Sequence, residues 1–513
     1  MSRQLTKSAS IVGFMTLLSR IMGFVRDILV ATIFGAGPAY DAFLVAFKIP
    51  NFMRSLLAEG AFSQAFVPLL SEYHTKYGPN EIRNFIDKVA GSLSVVLFFV
   101  MCLLMWGAPW VIRIFAPGFD VDGERFTLAT HMLRITAPYL FFISLTAFCS
   151  GILNTFNRFA IPAVTPILLN LAMIGTTLWL RGYLDEPIYA LAYGVLLGGI
   201  LQLAIQLPFL WHLHLLPRAK IAFRDPAVKR LLTLIAPLVF GASVVQVNLL
   251  IVTIFASFLP PGSVSWLYYA ERLMQFPLGV FGIALATVVL PHLAKQHAKQ
   301  ALDIFKGVLD WALKVVCLIS IPAALALIIL AKPILTTLFQ YGRFTPFDVH
   351  QAQGALIAFG FGLSAFIFIK ILAAACYARQ DVKGPVHIAV ICLVVNVALN
   401  AIFMQYLAHV GLALATTLSA VVNVALLYYR LHSRAQFRLV TPWAMFMLQI
   451  FTANAVMAGL LITGQYYFGD WILLAAMDRA LALGFLIILG VVSYFTTLAV
   501  IGLRPRHLRA PHA

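Results

Sequence analysis

The chain has 513 residues, of which 62% are hydrophobic and only 11% are charged, and its mean hydropathy is +0.93. A soluble core does not need that much apolar surface, so the composition excludes an ordinary soluble globular protein. The formal net charge of +17 does not indicate nucleic-acid binding, because the lysines and arginines are spread over short connections between apolar runs, as in polytopic membrane proteins.

Apolar stretches recur along the whole chain, and each is long enough to cross a hydrocarbon core, which takes about twenty residues. We therefore predict an all-α polytopic membrane protein with about fourteen transmembrane helices. The predicted spans are 9–34, 41–70, 86–113, 127–153, 161–181, 188–211, 229–257, 264–294, 306–330, 350–376, 385–404, 409–430, 443–466 and 474–502.

The connections between these spans alternate in charge. Every second connection is acidic or poor in charge, as in the one that holds Asp120, Asp122 and Glu124. The positive-inside rule places the basic connections in the cytoplasm and therefore predicts two cytoplasmic termini. The basic connections contain Lys76, Arg83, Arg158, Arg218, Lys220, Arg224, Lys229, Arg230, Lys295, Lys299, Arg379, Lys383, Arg430, Arg434, Arg438, Arg504, Arg506 and Arg509.

An internal repeat becomes visible when the two halves are aligned. The tripeptide Thr-Ile-Phe at 32–34 recurs at 253–255, and Arg158 is matched by Arg379, both at an offset of 221 positions. The agreement of these weak matches predicts a six-helix unit used twice in the same orientation. The predicted organisation is an N-terminal lobe at 1–220, a C-terminal lobe at 221–440, and two further helices at 441–513 that stand outside the repeat.

Ionisable residues at membrane depth are the candidates for function, because each costs several kcal/mol there unless it faces a cavity or a partner. At 100° per residue, Asp41, Lys48 and Glu59 fall on one helical face within about 20°, and that face is expected to line water or a lumen. Pro50 lies between these charges and can kink the helix. The full set is Arg20, Arg26, Asp27, Asp41, Lys48, Arg54, Glu59, Glu271 and Arg272.

Two interpretations of these charges remain open. Adjacent pairs such as Arg26–Asp27 and Glu271–Arg272 could be neutral pairs that only hold helices together. Taken as a set, however, the cations outnumber the carboxylates, so a cavity lined by them attracts an anion. Planar guanidinium groups bind phosphate oxygens in a bidentate manner, so the predicted substrate carries phosphate or pyrophosphate.

Several sequence segments resemble the MurJ (MviN) lipid II flippases of the MOP superfamily, and the resemblance covers almost the whole chain. They are 19–27 (SRIMGFVRD), 33–37 (IFGAG), 41–43 (DAF), 47–51 (FKIPN), 59–68 (EGAFSQAFVP), 116–119 (APGF), 340–345 (QYGRFT) and 377–381 (YARQD).

This resemblance implies a transporter of the bacterial inner membrane and not an enzyme. It also implies that the two helices at 441–513 form a groove for a lipid tail. The implied substrate is lipid II, undecaprenyl-pyrophosphate carrying the peptidoglycan disaccharide-pentapeptide. By position, Arg20, Arg26, Arg54 and Arg272 match the family's essential substrate-binding arginines, and the remaining charges of the set match its other cavity positions. The implied partners are lipid II and the surrounding membrane lipids, with the cell-wall synthesis or division machinery as a candidate protein partner.

No cofactor, metal or catalytic residue is expected. Some members of the family hold a sodium ion with a carboxylate one turn after an asparagine on the eleventh helix. The corresponding spacing here gives Asn396 and Asn400, so that site lacks its carboxylate.

Three other functions are compatible with parts of the sequence. A membrane-embedded glycosyltransferase would need an outer carboxylate centre, for which Asp120, Asp122 and Glu124 are the candidates; a solvated turn is the simpler interpretation of that cluster. A scaffold of the division machinery has no reason to bury surplus charge. An exporter of drugs or of another lipid-linked oligosaccharide from the same superfamily would not need the arginine motifs.

Overall fold

The computed structural model describes residues 3–55, 61–435 and 442–503, and this part of the chain forms helices and no strands. The α-helices are α1 (Arg3–Phe34), α2 (Pro38–Arg54), α3 (Ala61–Lys76), α4 (Pro79–Trp106), α5 (Ala108–Phe115), α6 (Glu124–Thr155), α7 (Ala160–Trp179), α8 (Tyr189–Ala204), α9 (Leu207–His212), α10 (Pro226–Ser257), α11 (Ser263–Pro277), α12 (Ile283–Ala298), α13 (Leu302–Ile329), α14 (Ala331–Phe339), α15 (Pro346–Ala378), α16 (Lys383–Ala435), α17 (Trp443–Tyr467) and α18 (Ala476–Val500).

The molecule is a multi-pass membrane protein, as the composition predicts. Ten helical segments of the described residues are long and apolar enough to cross a membrane. Large aromatic side chains are exposed at the ends of such helices, namely Trp106, Trp179, Tyr466 and Tyr467, where tryptophan and tyrosine typically meet the membrane–water interface. The number of fourteen crossings stays a prediction.

Some predicted spans and observed helices differ in their bounds. The span 86–113 is divided at Gly107 into α4 and α5, and the span 41–70 contains α2 and α3, between which residues 56–60 lie outside the described part of the chain. A π-helical turn at Leu278–Gly282 directly follows Pro277, because proline cannot donate the regular backbone hydrogen bond. The predicted spans 385–404 and 409–430 are joined in α16, with a kink at Ala408, whose φ is 48°.

Contacts divide the chain into two compact units, Met1–Gly262 and Ser263–Ala513. Helix α10, which the repeat assigns to the second lobe, packs within the first unit against α2, α3, α4 and α5. The lobes expected from the repeat stay a prediction.

The core of the first unit is aromatic. Phe66 on α3 is fully buried, and its ring centroid lies 5.1 Å from that of Phe62, 5.0 Å from Phe148 and 6.0 Å from Phe85. Rings at these distances gain stabilisation beyond the burial of their area. A Cβ on Gly151 would come within 3.1 Å of the Phe66 ring, so α6 approaches α3 closely at a residue without a side chain.

In the second unit the two C-terminal helices are attached through buried polar contacts. The Tyr494 hydroxyl donates to the Leu318 carbonyl at 2.9 Å. The buried guanidinium of Arg479 donates to the carbonyls of Ile472 at 2.6 Å and Thr336 at 3.3 Å. Thr336 lies in the last turn of α14, where the partial negative charge of the helix dipole favours a cation. Arg479 therefore ties α18 to the end of α14.

The connection between α9 and α10 lies across α4. Asp87 is buried, and its Oδ1 accepts from the Arg218 amide at 2.8 Å. Beyond that point Lys88 pairs with Asp225 at 2.6 Å, and Asp225 caps α10 by accepting from the Ala227 amide at 2.9 Å. The start of α10 is thus fixed to α4 by an ion pair and an N-cap on the same carboxylate.

The Lys88 ammonium holds the pKa of Asp225 below its ordinary value of 3.8. Because the folded-state pKa is depressed, the stabilisation is present above pH 3.8 and is lost as the pH falls through the folded value. Replacing Asp225 by Asn keeps the cap but removes the ion pair, and replacing it by Ala removes both. At pH 7 we expect the free energy of unfolding to fall by about 0.5 kcal/mol in the Asn variant and by about 1–2 kcal/mol in the Ala variant.

The measurement is thermal unfolding of the purified protein in detergent at pH 7 and below pH 3.8. The difference between wild type and the Asn variant should vanish in acid. Asp303→Asn is the matched control, because that carboxylate is fully exposed and 3.8 Å from Lys306. A pH-independent difference would show that the ion pair is not its source.

Candidate functional site

Helix α1 carries the first candidate arginines. The Arg26 guanidinium donates from Nη2 to Asp27 Oδ1 at 2.6 Å and from Nε to the same oxygen at 3.1 Å. The side chain of Arg26 is 12% exposed and that of Asp27 is 1% exposed. The two residues therefore form a buried ion pair that fixes the direction of the guanidinium.

A third residue, on α7, completes this arrangement. Asn170 is 8% exposed, and its Oδ1 accepts from Arg26 Nη1 at 3.1 Å. Its Nδ2 donates to the carbonyl of Ser19 at 3.3 Å and to that of Pro166 at 3.2 Å. One amide thus binds Arg26 and also the backbone next to Arg20. Sequence analysis missed Asn170, although it is the single amide residue in the otherwise apolar helix α7.

The charged face of α2 lies against α10. Asp41 Oδ2 accepts from the Gly262 amide at 2.6 Å, and Lys48 Nζ donates to Thr253 Oγ1 at 2.8 Å. Two turns further on, Ser55 Oγ accepts from Gln246 at 2.6 Å. Positions on α2 rise while those on the partner segment fall, so α2 and α10 are antiparallel. We call these three contacts the α2–α10 polar ladder.

The ladder changes the interpretation of two predicted positions. Asp41 was expected to line water or a lumen, whereas its residue exposure is 0% and its carboxylate binds the turn after α10. Lys48 is half-buried at the same helix pair. Asp41 and Lys48 both contact the segment that runs from α10 to Gly262, and a cavity lined by these two residues stays a prediction. Glu59, the third predicted member, lies outside the described residues.

Arg54 lies at the end of α2, where its Nε donates to Asn51 Oδ1 at 2.9 Å one turn earlier. Helix α2 continues through Pro50 without ending there. The sequence alone does not fix the direction of Arg54. The structure keeps it half-buried and orients it through a neutral amide.

In the second unit, α11 carries Glu271 and Arg272, both half-buried. Glu271 Oε1 accepts from Gln275 Nε2 at 2.8 Å, one turn along the same helix. Beyond Arg272, α11 ends at Pro277 and is followed by the π-helical turn 278–282, where the regular hydrogen-bond pattern changes.

One end of the first unit is closed by contacts to the turn after α10. The amide of Gly118 donates to Ser257 Oγ at 3.0 Å, and Arg125 donates to the Leu259 carbonyl at 3.3 Å. A Cβ on Gly118 would collide with the backbone of Phe258. The APGF segment at 116–119 therefore serves as a docking surface for residues 257–259.

Two further predicted sites have a clear structural description. Asn396 and Asn400 are fully buried, and Asn400 Nδ2 donates to Asn396 Oδ1 at 2.8 Å. Asn396 Nδ2 and Asn400 Oδ1 are also buried, and neither has a hydrogen-bond partner in the described part of the chain. Asp120, Asp122 and Glu124 are exposed at the turn before α6. Within the described residues no cluster of three or more His, Cys, Asp or Glu side chains could hold a metal ion.

An apolar groove of about 410 Å³ lies between α17 and α18. Its lining includes Leu460, Tyr467, Phe468, Phe485 and Leu489. Large apolar side chains on both helices face outward, so this surface suits hydrocarbon and not water.

Comparison with known proteins agrees with this architecture. The family model described as lipid II flippase MurJ matches residues 30–480. A probable lipid II flippase MurJ from Vibrio cholerae is 45% identical over 99% of this chain and 98% of its own length, and a lipid II flippase MurJ from Burkholderia cenocepacia is 41% identical over 97% of each.

Among solved structures, a lipid II flippase MurJ in an inward closed conformation matches with a TM-score of 0.81 and 28% identity, covering 97% of this chain and 99% of the other. An inward-facing MATE multidrug transporter of the MOP superfamily matches with a TM-score of 0.67 at 16% identity, over 83% of this chain and 98% of the other, and shares the fold alone. With a match that spans most of the chain and relatives above 40% identity over nearly their full length, the protein belongs to the MurJ family of lipid II flippases, which are transporters and not enzymes.

Proposed function

We propose that this chain moves lipid II from the cytoplasmic to the periplasmic leaflet of the bacterial inner membrane, with both of its termini in the cytoplasm. The observation that carries the proposal is the fixed Arg26 guanidinium, held by Asp27 and Asn170 in a helix that the sequence predicts to cross the membrane. A guanidinium whose direction is set before the ligand arrives loses less entropy when it binds phosphate oxygens. The family membership supports lipid II, which carries a pyrophosphate, as the ligand of this guanidinium.

The head group is proposed to bind Arg20, Arg26, Arg54 and Arg272, with the other membrane-depth charges completing the cavity. Among the predicted membrane-depth charges in the described part of the first unit, the cations outnumber the carboxylates. The cations are Arg20, Arg26, Lys48 and Arg54, and the carboxylates are Asp27 and Asp41. This surplus positive charge attracts a pyrophosphate, and planar guanidinium groups suit its paired oxygens. The groove between α17 and α18 is proposed to hold the undecaprenyl tail, because its lining is apolar.

Transport is proposed to proceed by alternating access. A pyrophosphate cannot cross hydrocarbon unaided, because removing its charges from water carries a large cost that only water or paired protein groups offset. The cavity must therefore open first to the cytoplasm and later to the periplasm. Moving one surplus charge through the membrane potential is worth about 2.3 kcal/mol per 100 mV, so the potential is a suitable energy source.

The first test concerns the arginines themselves. Replacing Arg20, Arg26 or Arg272 by Ala should abolish growth in cells depleted of their own flippase and cause lipid II to accumulate in the cytoplasmic leaflet. Lys variants should recover transport only in part, since an ammonium loses the bidentate contact, which is worth roughly tenfold or more in binding. The readouts are growth, accessible lipid II in each leaflet, and protein level in the membrane.

Arg158→Ala is the control, because Arg158 is exposed on a connection outside these helices. Normal growth of all three Ala variants at native expression would rule out the proposed head-group site. Accumulation of a different lipid-linked oligosaccharide in the depleted cells, with normal lipid II, would indicate another exporter of the same superfamily.

The second test concerns Asn170. Replacing it by Leu keeps a similar volume but removes both the acceptor for Arg26 and the donor for the Ser19 carbonyl. We expect transport to fall by about tenfold, because a hydrogen bond to a charged group contributes roughly 1.5–3 kcal/mol. Gln at this position should restore part of the loss, since it retains both functions.

The matched control is Gln202→Leu. Gln202 is also a buried amide that donates to a backbone carbonyl of α7, that of Thr165 at 2.8 Å, but it does not contact Arg26. Thermal unfolding of both purified variants separates stability from function. If the two variants lose transport in the same proportion to their loss of stability, Asn170 has no role in orienting Arg26.

A further inference from the structure

A polar cavity of about 510 Å³ lies at the junction of α15 and α16, and its lining includes none of the residues assigned to transport above. Helix α15 ends before Gln380, whose φ of 61° is in the left-handed region and turns the chain. The amide of Asp381 then donates to the Cys376 carbonyl at 3.0 Å, and α16 begins at Lys383. The cavity is lined by Cys376, Arg379, Gln380, Asp381, Arg430 and Leu431.

Arg430 is held at this cavity by one edge of its guanidinium. Its Nε donates to Asp381 Oδ2 at 2.6 Å and its Nη2 to Asp381 Oδ1 at 2.8 Å, as in a bidentate arginine–carboxylate pair. A Cβ on Gly384 would collide with the guanidinium. The absence of a side chain there lets Arg430 lie against the first turn of α16.

Both carboxylate oxygens of Asp381 accept hydrogen bonds, whereas only one edge of the Arg430 guanidinium donates to a described residue. Asp381 Oδ1 also accepts from the Gly384 amide at 3.0 Å, so the same side chain caps α16 and binds Arg430. Within the described residues, no partner of Arg430 Nη1 is found. The second edge of the guanidinium, formed by Nη1 and Nη2, therefore remains available for another planar or tetrahedral oxyanion.

The charges around the cavity favour an anion. Arg379 and Arg430 contribute two positive charges and Asp381 one negative charge, and the positive end of the α16 dipole lies at the same place. Exposed apolar and aromatic side chains flank it at the helix ends, with Tyr377 45%, Val382 57% and Tyr429 69% exposed. A ligand that suits both surfaces has an anionic head and an apolar tail.

We propose that this cavity binds the phosphodiester head group of an anionic phospholipid from the bilayer. Basic pockets between the ends of membrane helices recognise anionic head groups in this way, and the positive-inside rule predicts that this end faces the cytoplasmic leaflet. Arg430 Nη1 and Arg379 contact the phosphate oxygens, and the acyl chains lie along the exposed apolar surface. The bound lipid fastens the start of α16 to its own final turn.

The experiment is native mass spectrometry of the full chain in detergent with graded additions of phosphatidylglycerol, phosphatidylcholine or inorganic phosphate. Wild type should retain phosphatidylglycerol at least tenfold more tightly than phosphatidylcholine. Arg379→Gln should weaken the phosphatidylglycerol interaction by about tenfold, as expected for one charge-assisted contact. The double variant Arg430→Gln with Asp381→Asn removes the second cation without leaving a carboxylate unpaired, and it should show a similar loss.

Arg158→Gln is the matched control, because Arg158 occupies the equivalent repeat position but is exposed after α6. It should bind phosphatidylglycerol as wild type does. Equal retention of both phospholipids, unchanged binding in the two cavity variants, or displacement of phosphatidylglycerol by millimolar inorganic phosphate would each overturn the proposal. Displacement by phosphate would mean that the cavity recognises a soluble anion and not a lipid. Thermal unfolding of the variants without lipid establishes that they are folded.

Discussion

The cost of holding charge inside a membrane organises the first unit of this protein. An unpaired ion in hydrocarbon is prohibitively unstable, so every membrane-depth charge must meet a partner or water. Arg26 and Asp27 meet this requirement on one helix, and Asn170 extends it to the next. The pairing positions α1 against α7 and at the same time fixes the direction of a guanidinium. The pair can therefore hold two helices together and also serve the proposed phosphate site, because a preorganised site requires a guanidinium of fixed direction.

The α2–α10 polar ladder applies the same constraint at a helix interface. Asp41, Lys48 and Ser55 are seven residues apart, and seven residues make almost two full helical turns. Their partners Gly262, Thr253 and Gln246 lie along an antiparallel segment at spacings of nine and seven residues. A polar stripe on one helix thus requires a matching polar stripe on another. Such a stripe would be costly against lipid and is stable here because each group meets a hydrogen-bonding partner.

Periodicity and composition were sufficient to predict the all-α class and most helices, and they also led to the expectation that Asp41 and Lys48 share one helical face. They could not predict what covers that face, because a lumen and a polar helix both favour the same residues. Asn170 was missed because one amide in an apolar helix carries no periodic signal. The division at Gly107 and the joining of two spans across Ala408 depend on local backbone geometry, which hydropathy averages over. The bidentate pair of Arg430 and Asp381 links residues 49 positions apart, and no sequence spacing indicates it.

The strength of the ladder also bears on the proposed alternation. Hydrogen bonds of this kind contribute about 0.5–1.5 kcal/mol each after competition with water, or up to about 3 kcal/mol when one group is charged. Three such contacts therefore hold α2 to α10 by only a few kcal/mol. Shifting a two-state equilibrium from 1:99 to 99:1 takes about 5.5 kcal/mol, which bidentate contacts of several arginines to a pyrophosphate can supply. Polar contacts are also easily replaced by water when the helices separate, whereas an apolar seam would resist wetting. A ladder of this composition is therefore weak enough for α2 and α10 to separate under the proposed alternation.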